Sequence, residues 1–419
     1  MTQFKKLFIT DSVPFNIFYA LLCIAMVSLA FTNWLMLPVA VLMLLNWIIE
    51  WNWKEKWQNV KSQKAIPAFI CFLIICLHPI IGFFLSSNKT GAMANFDCSL
   101  WFLLAPLTLL TYKPEHLNRQ RIRFIFWSFC LAILIHIIYI FGVALGKYAH
   151  THNSIYFYYS SLSILKHPSY VALYIITAFL FLLDQLIRYH KSYSRLFCIC
   201  IFITLGIYAI AILQLQSKAG ILSFLLALTI WFFVHFYTKK SRIIPGAIIL
   251  LLAFGSLIFI YKTGWIVKNR ISETIEQIEN HKDNPYGRNS SEIRLTLWHS
   301  SSEVIKKTLP WGVGTGDAGD ALRLNSLTHN YRNVIGGHYN AHCQYLQSLL
   351  ETGIIGLLLL LTYCSYPLIE GLRRHNLLLC TFALLVLLNI AVECMFNVRS
   401  GVDFIALTFV LCFLNTRRS

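Results

Sequence analysis

Long apolar runs alternate along the chain with short polar connectors. A run of about 20 apolar residues is long enough to cross a bilayer as an α-helix. The pattern predicts about twelve spans, at about 14–31, 33–50, 65–85, 97–112, 123–145, 168–188, 196–213, 219–238, 243–262, 344–367, 377–394 and 400–415. We therefore expect an all-α polytopic membrane protein with about twelve transmembrane helices.

One long polar segment interrupts this pattern between the ninth and tenth spans. It divides the chain into nine predicted spans at 1–262, a long loop at 263–341 and three further spans at 342–419. The loop holds acids, arginines, histidines and glycine-rich turns, whereas the rest of the chain is mostly apolar. We expect the chemistry of the protein to lie at the membrane surface, in or beside this loop.

The loop itself is predicted to contain short helices. Isoleucines at helical spacing indicate an amphipathic helix at 271–281, and a second helix is predicted at about 290–307. A tight glycine-rich turn follows at 310–316, and a third polar stretch covers 318–337. We expect the next helix to begin near Tyr339 and to pass into the membrane.

Composition supports the membrane class and excludes others. The chain is 57% hydrophobic and 13% charged, whereas soluble domains carry about 25% charged residues. The net charge of +17 comes from basic residues in short connectors, so no basic face is available for nucleic acid. Most cysteines lie inside apolar runs without metal-ligand spacing, so we expect neither a metal site nor a cofactor.

Basic residues are concentrated in alternate connectors, which predicts the orientation. Groups of Lys and Arg lie near both ends of the chain and at 54–64, 113–123, 188–195, 239–242 and 373–374. The short connectors between them hold only Lys89, Lys147, Lys166, Lys218 and Arg399, so both termini are predicted to be cytoplasmic and the loop external. The first run lacks a small-residue cleavage site, so we expect a membrane helix there and not a removed signal peptide.

The start of the tenth span carries the first candidate site. His342, Gln344 and Glu351 place an imidazole, an amide and a carboxylate on a helix that enters the membrane from outside. A histidine near the interface can take a proton from an incoming hydroxyl, because its pKa lies near neutrality. The alternative is that His342 caps the helix or packs against the loop.

Two cations form the second candidate site. Arg294 lies in the middle of the second loop helix, and its planar guanidinium suits a diphosphate. A salt bridge with Glu292 or Glu303 is the simpler interpretation of Arg294. Lys218 lies in a very short external turn, against the orientation rule, so it either binds an anionic ligand or reaches lipid headgroups.

Two further polar residues lie at the external ends of spans. His167 opens the sixth span, and Glu393 ends the eleventh. A carboxylate at the membrane edge is unfavourable unless it is paired, and we expect Arg399 to be its partner because it is nearest in sequence. The turn at 310–316 lacks the strand and the Lys-Ser/Thr pair of a nucleotide-binding loop.

The order of these motifs resembles the O-antigen ligase/polymerase superfamily. The resemblance rests on four stretches: Arg294 to Trp298, Pro310-x-Gly312-x-Gly314-x-Gly316, His342-x-Gln344-Tyr345-Leu346 with Glu351-x-Gly353-x-x-Gly356, and Glu393 to Phe404. Two positions depart from the family pattern. Lys218 stands where a Ser-Arg-(Ala/Gly)-Gly motif has arginine, and Cys343 stands where asparagine usually follows the histidine.

The resemblance implies a membrane glycosyltransferase related to the GT-C architecture. Such enzymes take a glycan from undecaprenyl diphosphate and attach it to an acceptor at the periplasmic face of the bacterial inner membrane. The reaction inverts the anomeric centre and is thought to need no metal. We expect a ligase that uses lipid A-core; a polymerase of lipid-linked repeat units and a protein O-oligosaccharyltransferase are the alternatives.

A polysaccharide transporter or flippase is an alternative from a different class. It predicts polar groups at mid-membrane and repeated halves. Charges within the predicted spans are scarce, and one loop late in the chain breaks any symmetry of six plus six. We therefore favour the enzyme.

The resemblance also implies roles for individual residues. His342 is the catalytic base or orients the acceptor, while Arg294 and Lys218 bind the donor diphosphate. Three further residues are expected to support them: Gln344, Glu351 and His167. Lysine at position 218 keeps the charge but loses the paired hydrogen bonds of arginine. The expected partners are a lipid-linked glycan, a glycan acceptor and membrane lipid.

Overall fold

The computed structural model describes residue 10 and residues 12–237, 290–335, 337 and 339–415. These residues are mostly helical and include no strand. The helices are α1 Val13–Phe31, α2 Met36–Ile49, α3 Trp53–Ser62, α4 Ile66–Leu73, α5 Leu77–Leu85, α6 Lys89–Cys98, α7 Leu100–Leu109, α8 Arg119–Thr151, α9 Tyr159–Leu162, α10 Pro168–Tyr189, α11 Arg195–Gln214, α12 Lys218–Phe232, α13 Ser290–Thr308, α14 Ala318–Thr328, α15 Gln344–Arg373, α16 Leu377–Ile390 and α17 Arg399–Leu414. The predicted all-α class agrees with these elements.

Several helices can cross a membrane. In the described part of the chain, 8 helices are long and apolar enough, or 9 if α2 and α3, which meet at 103°, form one span. The protein is therefore a multi-pass membrane protein. The predicted span at 243–262 and the loop helix at 271–281 lie outside the described residues, so the twelve-span count and the external loop stay predictions.

One predicted span begins too late. The apolar pattern placed it at 97–112, but a helical candidate span runs over Lys89–Leu109. The Asn88 side chain accepts a hydrogen bond from the Gly91 amide and so caps the helix before its polar first turns. Polar residues interrupt the apolar run there, and α6 and α7 together form the candidate span.

Burial within the bundle separates central helices from outer ones. Helix α10 is buried over most of its surface, and α17 is buried along almost its whole length. Helix α8 buries only one face, which includes Ile122, Ile125 and Phe129, while Leu131 and Ile135 on its other faces are exposed. A helix that is apolar on all faces but packed on only one is expected to present the others to lipid.

Helix α15 contains a break that receives the glycine-rich turn. Gly353 adopts φ +63°, a left-handed conformation that favours glycine, and a Cβ there would lie 1.8 Å from the Pro310 carbonyl oxygen. The Ile354 amide donates to that oxygen at 3.0 Å, while the amides of Val313 and Gly314 donate to carbonyls of α15 at 2.8 Å. The turn therefore satisfies backbone groups that the break would leave unpaired.

Candidate functional site at one end of the bundle

The polar residues singled out in the sequence meet at one end of the bundle, where α10, α12, α15 and α17 begin and α16 ends. Direct contacts join these helix ends. Ser217, which caps α12, donates to Ser169 at the start of α10 over 3.2 Å. Gln344 at the start of α15 donates to Asn397, just before α17, over 2.9 Å. Residues far apart in sequence thus share one surface.

His342 is held by the chain immediately around it. Its backbone has φ +47°, a conformation that is uncommon outside glycine. Its amide donates to Asn340 Oδ1 at 3.0 Å, and the preceding Ala341 amide donates to Gln347 Oε1 at 2.8 Å. These bonds fold the segment before α15 into a tight turn. His342 lies one residue before Cys343, the N-cap of the helix.

Three side chains form what we call the histidine–arginine cluster: His342, Glu393 and Arg294. Arg294 Nη2 forms a short ion pair with Glu393 Oε1, and its Nε donates to the Val392 carbonyl at 3.2 Å. His342 Nδ1 lies 3.4 Å from Glu393 Oε2. The Glu393 side chain is 6% exposed, whereas the side chains of Arg294 and His342 are 20% and 27% exposed. The cluster is therefore a buried carboxylate covered by a partly exposed arginine and a partly exposed histidine.

The electrostatics of this cluster keep its carboxylate ionised. Burial acts to raise the pKa of Glu393, but the hydrogen bond with His342 and the charge of Arg294 outweigh it. The pKa of Glu393 is therefore lowered from its ordinary value of 4.5. An ionised Glu393 favours a His342 tautomer that carries its proton on Nδ1, so Nε2 is the ring nitrogen that can accept a hydrogen bond.

Lys218 and His167 lie beside the cluster. Lys218 Nζ donates to Ser291 Oγ at 2.9 Å, and Ser291 is three residues from Arg294, so both cations lie on the same side of α13. His167 caps α10 and interacts electrostatically with Glu393. Burial lowers the pKa of His167, which favours a neutral imidazole next to the charged pair.

Two expectations about ion pairs are wrong. Arg399 does not pair with Glu393; it contacts Asp97 on α6, because the start of α17 packs beside that helix. Arg294 does not pair with either glutamate of its own helix, since Glu393 is brought against it by the fold. Sequence proximity therefore gave the wrong partner for both arginines.

Gln344 and Glu351 were expected to support His342, but they face a different group of residues. Gln344 accepts a hydrogen bond from the Phe396 amide and donates to Asn397. Glu351 Oε1 accepts from Gln347 and from Asn397, each at 2.7 Å. Their contacts position the start of α15 against the segment before α17, and no hydrogen bond between them and the histidine–arginine cluster occurs among the described residues.

Cys343, the departure beside the candidate base, is a packed residue. It is 8% exposed, and burial raises the pKa of its thiol. A buried neutral thiol behaves as a small apolar group and is a poor nucleophile. The Cys343 thiol is therefore not a candidate base or nucleophile.

Glu393 is the member of the cluster that sequence reasoning did not place in the site. The signal was a carboxylate at the edge of the membrane, where an ionised group needs a partner. The sequence could not show that the partner would come from the loop, about one hundred residues earlier. Only the packing of α13 on the α16–α17 connection reveals this pairing.

Comparison with protein families gives one match. Residues 199–361 match the family model described as O-antigen ligase. The matched range contains Lys218, Arg294 and His342, whereas Glu393 lies beyond it. The match confirms the resemblance predicted from the motifs. No curated protein matches the chain.

Proposed function

We propose, from the premise that this chain belongs to the O-antigen ligase superfamily, that it transfers a glycan from undecaprenyl diphosphate to lipid A-core. The family supports a membrane glycosyltransferase of the O-antigen ligase or polymerase type that uses lipid-linked glycans. The proposal adds the donor, the acceptor and the periplasmic side of the bacterial inner membrane. The observation that carries it is the contact of His342 and Arg294 with one buried carboxylate.

The cluster places a base beside a cation, as this transfer requires. An acceptor hydroxyl attacks the anomeric carbon, and the bond from that carbon to the diphosphate oxygen breaks. The hydroxyl proton passes to His342 Nε2, and the electron pair of the broken bond leaves with the diphosphate. Attack from the face opposite the leaving group inverts the anomeric centre, and no other reactant is needed.

Glu393 positions the base and stabilises its protonated form. Its Oε2 lies 3.4 Å from His342 Nδ1, so it holds one ring nitrogen while the other meets the acceptor. A carboxylate on the far side of an imidazole also stabilises the imidazolium that forms. Glu393 is a positioning residue in this proposal, because it contacts the base and not the substrate.

Arg294 and Lys218 bind the diphosphate. The leaving group gains negative charge as the sugar–phosphate bond breaks, so fixed cations beside it lower the barrier. Arg294 offers a planar fork of N–H donors, and Lys218 adds a point charge from the start of α12. A lipid tail fits beside Lys218, because this residue begins the apolar helix α12.

The proposal is tested by reconstitution. Purified protein in liposomes is given the lipid-linked glycan that accumulates in cells lacking the gene, together with lipid A-core from the same cells. We expect glycan to appear on lipid A-core, seen as a ladder of slower bands on a gel. Bands built on the donor alone would instead show a polymerase, and absence of any product would contradict the proposed activity.

Deletion of the gene separates the same alternatives in cells. Loss of a ligase removes all long glycan from lipopolysaccharide, so only the core remains. Loss of a polymerase leaves core carrying a single repeat unit. We expect the first pattern, restored by the intact gene and not by a copy encoding His342→Ala.

A further inference from the structure

A second polar site lies on another face of α15. Gln344, Ser348 and Glu351 recur at helical spacing and line a small pocket of about 20 Å³, which has room for about one water-sized group such as a hydroxyl. Leu346, Leu349 and Leu350 lie on the opposite side of the helix, in the cluster packed with α13 and α14. Helices α5, α6 and α7, the glycine-rich turn and the segment before α17 close the pocket. We call it the Glu351 pocket.

Three buried polar atoms in this pocket have no hydrogen-bond partner in the described part of the chain: Glu351 Oε2, His78 Nε2 and Thr315 Oγ1. Glu351 is only 1% exposed, and its Oε2 lies 3.4 Å from His78 Nε2. Its other oxygen is fully used by Gln347 and Asn397. Buried polar atoms are almost always paired, so three around one pocket indicate a ligand.

The chemistry of the pocket fits a hydroxyl group of a sugar. A hydroxyl both donates and accepts, so it can donate to Glu351 Oε2 and accept from His78 or Thr315. The remaining polar lining consists of amides and hydroxyls, which favour an uncharged ligand. Phe102 and Phe396, both buried, complete the lining with apolar surface.

The position of the pocket indicates which substrate it contacts. Gln344, which lines the pocket, is the first residue of α15, and His342 lies two residues before it, so the pocket and the proposed base share one end of this helix. Lys218 and Arg294 are instead held by α12, α13 and the end of α16, none of which lines the pocket. A group bound in the pocket therefore contacts the helix that follows the base and not the elements that hold the cations.

We propose that the Glu351 pocket binds a hydroxyl group of the acceptor sugar and so selects the acceptor that His342 deprotonates. This inference rests on the proposed function and deepens it. It assigns Glu351, His78 and Thr315 to acceptor recognition, apart from the groups that bind the donor. Selection of this kind is strong when a site holds buried polar groups, because an acceptor that lacks the hydroxyl leaves them unpaired.

Thr315→Val and Glu351→Gln test this assignment in the reconstituted transfer. Valine removes the unpaired hydroxyl and keeps the shape, and glutamine keeps the shape of the carboxyl group. We expect the KM for lipid A-core to rise about fivefold for Thr315→Val and about tenfold or more for Glu351→Gln, with the donor KM unchanged. The matched control is Thr362→Val, an exposed threonine on α15 whose hydroxyl bonds its own helix.

Thermal stability separates recognition from a structural role. Removing an unpaired buried hydroxyl does not destabilise a fold, so the melting temperature of Thr315→Val should equal or exceed that of the wild type. An unchanged acceptor KM in both variants, or a lower melting temperature with only kcat reduced, would show that the pocket holds a structural water. A rise in the donor KM would overturn the acceptor assignment. Failure of the wild type to transfer any glycan would instead contradict the proposed function.

Discussion

The histidine–arginine cluster and the Glu351 pocket both lie at the start of α15, yet they are built from different kinds of contact. The cluster joins α13, the segment before α15 and the segment after α16 through charged contacts, and its Arg294 and His342 side chains are partly exposed. The pocket is held by amides and backbone contacts, and its carboxylate is 1% exposed. The first arrangement suits proton transfer and binding of charge, and the second suits recognition of neutral groups.

The difference also concerns how each region is positioned. The cluster depends on the buried Glu393 carboxylate, which contacts both Arg294 and His342. Removal of Arg294 therefore leaves a buried negative charge without its ion pair. The pocket depends on the glycine-rich turn, which is fixed to the break in α15 by backbone hydrogen bonds. Substitutions at charged residues should therefore change the reaction, whereas substitutions at the glycines should change the fold.

Among substitutions of the residues around His342, the largest loss of transfer rate is expected at Arg294. Arg294→Ala removes a cation from the leaving diphosphate and leaves Glu393 without its ion pair. We expect transfer to fall about 100- to 1,000-fold, with Arg294→Lys intermediate because lysine keeps the charge without the fork. The measurement is the initial rate in liposomes. Arg323→Ala, at an exposed arginine on α14, is the control, and an equal loss there would contradict a specific role.

Glu393→Gln should reduce the rate less and should change the dependence on pH. We expect kcat to fall about 10- to 100-fold, since the base loses the group that orients it. Because folding lowers the pKa of Glu393, ionised Glu393 stabilises the fold at pH values above 4.5, its ordinary pKa. This stabilisation is lost as the pH falls through the lowered pKa. Melting temperatures below about pH 4.5 should therefore decline more steeply for the wild type than for the variant. Parallel curves would show that Glu393 is not coupled to folding.

Gly353→Ala tests whether the pocket depends on the turn. Alanine at φ +63° is strained, and its Cβ would collide with the Pro310 carbonyl. We expect a loss of at least about 2 kcal/mol in the free energy of unfolding, measured as a lower melting temperature. Gly142→Ala is the matched control, because a Cβ there meets no atom within 4 Å. Equal stability of the two variants would mean that the break in α15 is not fixed by the turn.

The smallest effect is expected at Lys218. Lys218→Ala should reduce the rate about tenfold, because the remaining cation still meets the diphosphate. Lys218→Arg should retain or exceed the wild-type rate, since arginine keeps the charge and adds a planar pair of donors that suits phosphate oxygens. Donor KM in the liposome assay distinguishes these variants. A greater loss with arginine than with alanine would show that Lys218 acts through its contact with Ser291 and not through its charge.

The sequence predicted much of the helical framework, because long apolar runs and alternate basic connectors are local signals. It also predicted α13 closely, at about 290–307 where the structure has Ser290–Thr308. It did not predict the helix over Lys89–Leu109 correctly, since polar residues in its first turns hide it from an apolar pattern. The count of twelve spans and the domain division remain predictions.

The candidate site was less predictable than the fold. His342, Arg294 and Lys218 were singled out by their chemistry and motif order, but Glu393, which contacts both His342 and Arg294, was assigned to Arg399. The glycines at 312, 314 and 353 were noted as motif positions, and only the structure shows that they let a turn dock on a broken helix. Contacts between distant segments depend on packing, which a single sequence does not specify.

The most direct test of the central claim is the rate of glycan transfer by His342→Ala in liposomes. We predict a fall of about 1,000-fold with unchanged melting temperature, because the base is lost while Glu393 keeps Arg294. His299→Ala, which changes an exposed histidine on α13, should retain the wild-type rate. Transfer by His342→Ala at the wild-type rate would show that the histidine–arginine cluster is not the catalytic centre.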